Sequence, residues 1–258
     1  MTAELTAREN RKVGRAMADY SMLADGDRVL VAVSGGVDSL VLLQILANWL
    51  KKAPVHYYLQ VVHVDMGPDI ESPGPVAQQV RERVKAMGLA CHILPAEKPA
   101  PLTDVMSNGS SQDICFQCAR SRRRQLFNYA RHLQCSTVAL GHHRDDIVET
   151  FFLNLTCAGN ISTMRPRQEL FSGRLGLIRP LAYLGKEEVV AIGQRMGLVP
   201  VQSLCPLSGQ TRRQEIRGLL AEVYTRIPGS REHIFAALGN VRSDYLLQQM
   251  DKQHADKS

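Results

Sequence analysis

Val29 to Leu43 reads VLVAVSGGVDSLVLL: a short apolar run, a turn built on Gly35 and Gly36, then residues apolar nearly all round as far as Leu50. That order predicts a buried strand over Val29–Val33, a sharp turn, and a buried helix over Ser39–Leu50. Paired glycines let the backbone approach a ligand closely. The helix that follows offers unpaired amides and the positive end of its dipole, so the turn suits a phosphate. Ser34 and Ser39 place a hydroxyl on each side of the glycines, which a plain strand-to-helix turn does not require.

Working outward, the same alternation repeats. Tyr57–Val64 is a second β-rich run ending at Asp65, Val76–Met87 a helical pattern, and Ala90–Leu94 a third strand. Farther on, a helix over Phe116–Leu133 precedes the strand STVALG and a helix over Asp145–Leu155. Strands alternating with helices imply right-handed crossovers and an α/β fold with a parallel sheet covered on both faces. Arg8–Leu23 predicts a leading amphipathic helix. Pro95–Asp113 reads as a long loop and Ala158–Gly176 as an irregular stretch. Ile216, Leu219, Leu220, Val223, Tyr224 and Ile227 form one helical stripe in the tail. The expected organisation is an N-terminal helix over 1–25, a domain carrying the phosphate-type loop over 26–183 and a C-terminal helical region over 184–258.

The chain has 258 residues, 45% of them hydrophobic, enough for one substantial core. Its net charge is +6, with 23 Arg against 8 Lys. An arginine-biased basic surface suits bidentate contacts to nucleic-acid phosphate, and equally fits a merely soluble basic protein. No apolar run reaches the roughly 20 residues of a bilayer span, and no signal peptide precedes the first helix, so a cytoplasmic protein without a membrane partner is expected.

Chemistry gathers at three further places. VVHVD ends the second strand at the carboxyl edge of the sheet, where open α/β sheets bind ligands. Backbone groups at His63 and Val64 could hold a base, or His63 could simply be packed. In ALGHHRDD, Gly141 permits close approach, and Asp145 and Asp146 either cap a helix or bring one carboxylate to the site. ICFQCARSRRR supplies Cys115 and Cys118, one helical turn apart, followed by Arg120, Arg122, Arg123 and Arg124. Such a pair can share a metal, a cluster or a disulfide. Cys205, in a Pro/Gly-marked loop, is a third candidate thiol. Three thiolates are one short of a closed structural zinc site, whereas a 4Fe-4S cluster held by three would leave one iron open.

Neither the Walker pattern nor GxGxxG is present. SGGVDS instead resembles the pyrophosphatase loop (PP-loop) of the adenine-nucleotide alpha hydrolase superfamily, which cuts ATP between its alpha and beta phosphates. With CFQCARSRRR, LGHHRDDIVETFFLN, IRPLAYLGKEEV and LCPLSGQTRRQEI in this order, the chain resembles the tRNA 2-thiocytidine synthetase family from about Arg11 to about Tyr245. The resemblance implies ATP-dependent, cluster-dependent sulfuration of cytidine 32 in tRNA, the base being adenylated at its C2 oxygen. It implies a 4Fe-4S cluster on Cys115, Cys118 and Cys205. ATP would be bound by Ser34, Gly35, Gly36, Val37, Asp38 and Ser39 with His63, Asp65 and Gly141, and Asp38 and Asp146 would be the catalytic carboxylates. Asp38 would orient Mg2+ on the leaving group, since a bare acid beside phosphate repels it. Arg120, Arg122, Arg123, Arg124, Arg165, Arg167, Arg212 and Arg213 would grip tRNA phosphate, or form a solvated face. A sulfur donor such as a cysteine desulfurase system is the other expected partner, and a homodimer is left open.

Two positions depart from the family pattern: Val37 stands where the loop usually has lysine, and Gln202 where a further cysteine often precedes Cys205. A paralogous sulfur-transfer or desulfurising enzyme acting on another base or a small thio-compound therefore stays open. So does a nucleic-acid-binding protein with a structural metal.

Overall fold

The computed structural model describes residues 5–67, 71–97, 111–205, 207 and 211–247. Its helices are α1 (Ala7–Asp19), α2 (Val37–Trp49), α3 (Pro75–Ala86), α4 (Ser111–His132), α5 (Arg144–Cys157), α6 (Lys186–Arg195), α7 (Arg212–Arg226) and α8 (Ser230–Ala237). Its strands are β1 (Asp27–Ala32), β2 (Tyr57–Asp65), β3 (His92–Pro95), β4 (Thr137–Ala139), β5 (Arg167–Leu170) and β6 (Leu175–Ile178). They form one sheet in the order β3-β2-β1-β4-β6-β5, parallel except for β5. This is the expected α/β class with a predominantly parallel sheet.

Strand alternation divides the core. Val29 and Val31 face one side with Leu40, Leu43, Leu46, Val80 and Val84, while Leu30 faces the other with Val62, Val138, Leu126 and Ala130. Helix α2 is sunk between neighbours, with Leu40, Val41, Leu42, Leu43, Ile45 and Leu46 almost fully buried, as its all-round apolar pattern requires. Val13 and Ala16 of α1 and Val189 and Ile192 of α6 join the same cluster. Packing is thus continuous across the expected boundaries near residues 25 and 184. Helix α7 makes a smaller cluster with α5 through Ile216, Leu220 and Val148.

Three expectations change. Helix α1 stops at Asp19, before the expected Leu23, and Ser21 turns the chain with φ 45°. Most of the expected loop Pro95–Asp113 lies outside the described residues, and α4 begins at Ser111 rather than near Phe116. The stretch expected to be irregular holds the β5–β6 hairpin, turned by Phe171, Ser172 and Gly173 with φ of 53°, 58° and 82°. β5 is an edge strand of four residues, RQEL; only its inner side is packed, so it needs no apolar alternation.

The order reverses at β1: β2 and β3 lie on one side, β4 on the other. A crevice opens at such a switch point outside the carboxyl ends of the strands. The segments leaving β1 and β4 are SGGVDS and GHHRDD. Among the described residues no helix is long and apolar enough to cross a membrane.

Candidate active site

The loop between β1 and α2 is held open by its own hydroxyls. Ser39 Oγ donates to the Gly36 carbonyl at 2.8 Å and accepts from the Ser34 amide at 3.2 Å, and the Ser34 and Ser39 hydroxyls lie 3.2 Å apart. Gly35 has φ 92°, and a Cβ added there would lie 2.8 Å from Val80 Cγ2 and 3.1 Å from Val201 Cβ. Its carbonyl accepts from the Val201 amide at 2.9 Å. Both the conformation and the close approach therefore demand glycine. Gly36 caps α2 without a side-chain bond, which leaves the first amides of the helix for a ligand. Val37 turns away from the turn and packs against Gly193 of α6.

Gly141 brings the end of β4 against this turn: a Cβ there would lie 2.9 Å from the Asp38 carbonyl and 3.0 Å from the Ser39 nitrogen. The two expected carboxylates then flank one buried imidazole. His143 Nδ1 accepts from the Asp146 amide at 3.4 Å, leaving Nε2 as the proton-bearing nitrogen. Nε2 faces Asp146 Oδ2 at 3.4 Å and Asp38 Oδ1 at 4.0 Å. Burial acts to raise the Asp146 pKa, but His143, His142 and Arg213 outweigh it and hold the carboxyl below its ordinary value. Asp145 instead ties helices together: its Oδ2 accepts from the Lys186 amide at 2.6 Å, and its Oδ1 pairs with Arg231 at 3.1 Å.

Arg179, which follows β6, is buried; its Nε donates to His142 Nδ1 at 3.2 Å and its guanidinium also reaches the Arg165 carbonyl. Burial, together with Arg179, pushes the His142 pKa down to about 4. The ring is therefore neutral and presents Nε2–H. Burial and the neighbouring Arg123 bring Arg179 itself down to about 10, leaving it charged.

The two site residues on β2 serve as braces. Burial holds His63 below the ordinary histidine pKa, and its Nδ1 donates to the Val33 carbonyl at 2.8 Å, one residue before the turn. Asp65 accepts from the Gly67 and Gly74 amides at 3.0 and 2.7 Å, one on each oxygen, so its carboxylate fastens the chain between β2 and α3.

Cys115 and Cys118 lie one turn apart near the start of α4, both half-buried, and Cys205 is exposed; all are free thiols. Burial pushes the Cys118 thiol up and Arg122 draws it down, while the Cys205 and Cys115 thiols add to the rise. Among the described residues no three His, Cys, Asp or Glu side chains are arranged to hold a metal ion as they stand.

The arginines divide. Arg120, Arg122, Arg123 and Arg124 line the exposed face of α4 beyond the thiols, with Arg124 paired to Glu97 at 2.6 Å; Arg165 and Arg212 are also exposed. Arg213 turns inward, donating to Thr150 Oγ1 at 2.8 Å and lying 3.5 Å from Glu149. Arg167 reaches the Ser21 carbonyl and lines a small cavity with Asp27 and Ser136, at the amino ends of β1 and β4 and away from the crevice. Four residues missed in the sequence stand at the site: His142, His143, Arg179 and Lys186, whose amine lies 2.7 and 2.8 Å from the two Asp38 oxygens. All four fall inside GHHRDD or IRPLAYLGKEEV, but only the folded chain brings the two segments together.

Residues 5–222 match the PP-loop domain family. The chain is 37% identical to the tRNA-cytidine(32) 2-sulfurtransferase of Pelobacter propionicus, over 95% of its own length and 90% of the relative's. It is also 37% identical to that of Sorangium cellulosum, over 92% and 82%. Its fold is similar to that of the U34-tRNA thiolase NcsA from Methanococcus maripaludis, solved with its 4Fe-4S cluster, with TM-score 0.71, 22% identity, and 90% and 78% of the two chains covered. A phosphate loop braced by serines, two carboxylates across one imidazole and a pair of thiols one helical turn apart thus accompany a match along nearly the whole chain, which belongs to the PP-loop family of tRNA-cytidine(32) 2-sulfurtransferases.

Proposed function

We propose that the protein replaces the C2 oxygen of cytidine 32 in tRNA with sulfur, using ATP to activate the base. The observation that carries this reading is the hydrogen bond from Val201 to Gly35. It joins the phosphate loop to the segment bearing Cys205, four positions farther along the chain.

Gly35, Gly36 and the first amides of α2 would cradle the pyrophosphate portion of ATP, with the Ser34 and Ser39 hydroxyls re-aimed from each other to phosphate oxygens. Transfer of the alpha phosphorus to the C2 oxygen releases pyrophosphate and converts that oxygen into part of an AMP leaving group. Catalysis of this step is chiefly positioning and neutralisation of charge. Asp38, and Asp146 across His143, would hold Mg2+ on the polyphosphate. The donor set Cys115, Cys118 and Cys205 fits a thiolate-held 4Fe-4S cluster, which when bound supplies an iron coordination position for sulfide. The exposed face Arg120–Arg124, with Arg165 and Arg212, would hold tRNA phosphates. Sulfur would come from a donor such as a cysteine desulfurase system.

Val37, in place of the lysine usual in the family loop, favours one second reading: sulfur transfer on the same scaffold to another base. Nucleoside mass spectrometry of tRNA from cells with and without the protein separates the two. Loss of 2-thiocytidine supports the first reading; unchanged 2-thiocytidine with loss of another thionucleoside supports the second. Cys205→Ala is expected to lower iron content of anaerobically purified protein and abolish sulfuration; retention of both would refute the three-thiolate site.

A further inference from the structure

A triphosphate brings several negative charges to a turn that already carries Asp38. The loop amides and hydroxyls offer dipoles but no net charge, and Val37 is turned into apolar packing against α6. The same helix returns a cation. Lys186, its first residue, sets its amine between the two Asp38 oxygens at 2.7 and 2.8 Å while remaining 44% exposed.

The backbone fixes this position independently of the ion pair. The Lys186 amide is held by Asp145 at 2.6 Å and the Gly185 amide by Glu188 at 2.9 Å. A Cβ on Gly185 would lie 3.0 Å from the Arg144 guanidinium, so the entrance to α6 sits tightly against α5. Other cations around these helix ends are committed elsewhere. Arg144 pairs with Glu232, Arg231 with Asp145 and Glu187, Arg213 and Arg217 with Glu149, and Lys12 with Glu188. Lys186 is paired to the loop itself.

We propose that Lys186 is the phosphate-directed cation of the loop: on entry of ATP its amine passes from Asp38 to the beta and gamma phosphates, and both Asp38 oxygens become available to a divalent cation. Nothing is oxidised or reduced, and the amine keeps its proton. The lysine thus holds Asp38 neutralised while the loop is empty and neutralises phosphate when it is filled. The proposal rests on the reading of SGGVDS as an ATP site, and its test separates the two.

The test is calorimetric titration of the full-length protein with ATP, pyrophosphate and AMP in the presence of Mg2+. Failure of the wild-type chain to bind ATP would refute the ATP reading and the proposal with it. Given wild-type binding, Lys186→Met is expected to weaken ATP and pyrophosphate about ten- to hundred-fold and AMP less than about three-fold, the scale of a lost charge-assisted bond. Lys186→Arg should retain most of the affinity. Unchanged ATP affinity in Lys186→Met, or an equal loss for AMP, would overturn the proposal and leave the ATP reading standing. Should the methionine variant fail to fold by circular dichroism, Lys186→Gln, which keeps a hydrogen-bond donor without the charge, provides the same comparison.

Discussion

The Cγ2 methyl of Val37 lies over the α-carbon of Gly193: a Cβ built on that glycine would sit 2.5 Å from it. The phosphate loop is thereby seated on α6 through a glycine in a helix interior. Alanine is the better helix former by about 1 kcal/mol, so an unobstructed Gly193→Ala should stabilise the protein. The overlap costs about 1–3 kcal/mol and reverses the sign. Thermal unfolding of Gly193→Ala is therefore expected to fall by several degrees, and Val37→Ala in the same chain to restore it. A stabilised single variant would contradict the packing.

Gly35→Ala meets two obstacles, a left-handed φ of 92° and Val80 Cγ2 at 2.8 Å. Strain and overpacking together are expected to cost about 2–4 kcal/mol. Urea titration would show the lower midpoint, and ATP binding should weaken even where the variant is fully folded.

The C-terminal helices depend on a buried carboxylate. Glu149 is almost fully buried, and Arg217 reaches its two oxygens at 2.7 and 3.1 Å. Glu149→Gln keeps the shape and removes the charge, with an expected loss of about 1–3 kcal/mol. Hydrogen exchange should rise in α7 while the sheet stays protected; a rise spread evenly over the chain would argue against a local clasp.

Acid should weaken the site from the histidine side first. The folded-state pKa of His142 is depressed to about 4, whereas an unfolded histidine titrates near 6.5. Between these values the unfolded chain binds the proton and the folded chain does not, so stability falls as pH drops through that window. Asp146, whose pKa is lowered below the ordinary carboxylate value, contributes stability above its unfolded pKa and loses it only at more acid pH. His142→Gln is expected to flatten the fall of melting temperature between about pH 6.5 and 4. An unchanged slope would show that the proton is taken up elsewhere.

Much of this was legible from Val29–Leu43 and its repetitions, because buried parallel strands and helices leave apolar runs whose period and length report them directly. The glycines at 35 and 141 were equally legible, since a left-handed turn at the first and close approach at both select that residue. What failed has physical reasons. The β5 strand RQEL is polar because it lies at an edge. Arg167 and Arg213 look like surface charge in the sequence, yet Arg167 lies beside Ser21 and Arg213 turns to Glu149, 64 positions earlier by number. Adjacent aspartates look equivalent until the fold sends Asp145 to α6 and α8 and Asp146 to His143. Lys186 and Arg179 acquire meaning only from partners far along the chain.

The bond between Val201 and Gly35 also sets a length. Cys205 lies four positions beyond Val201, and an extended chain spans at most about 3.6 Å per residue, so the Cys205 α-carbon stays within about 14 Å of that of Val201. While that anchor holds, an exposed thiol that looks free to wander is on a leash, and the volume it can sweep is centred on a residue bonded to the glycine turn.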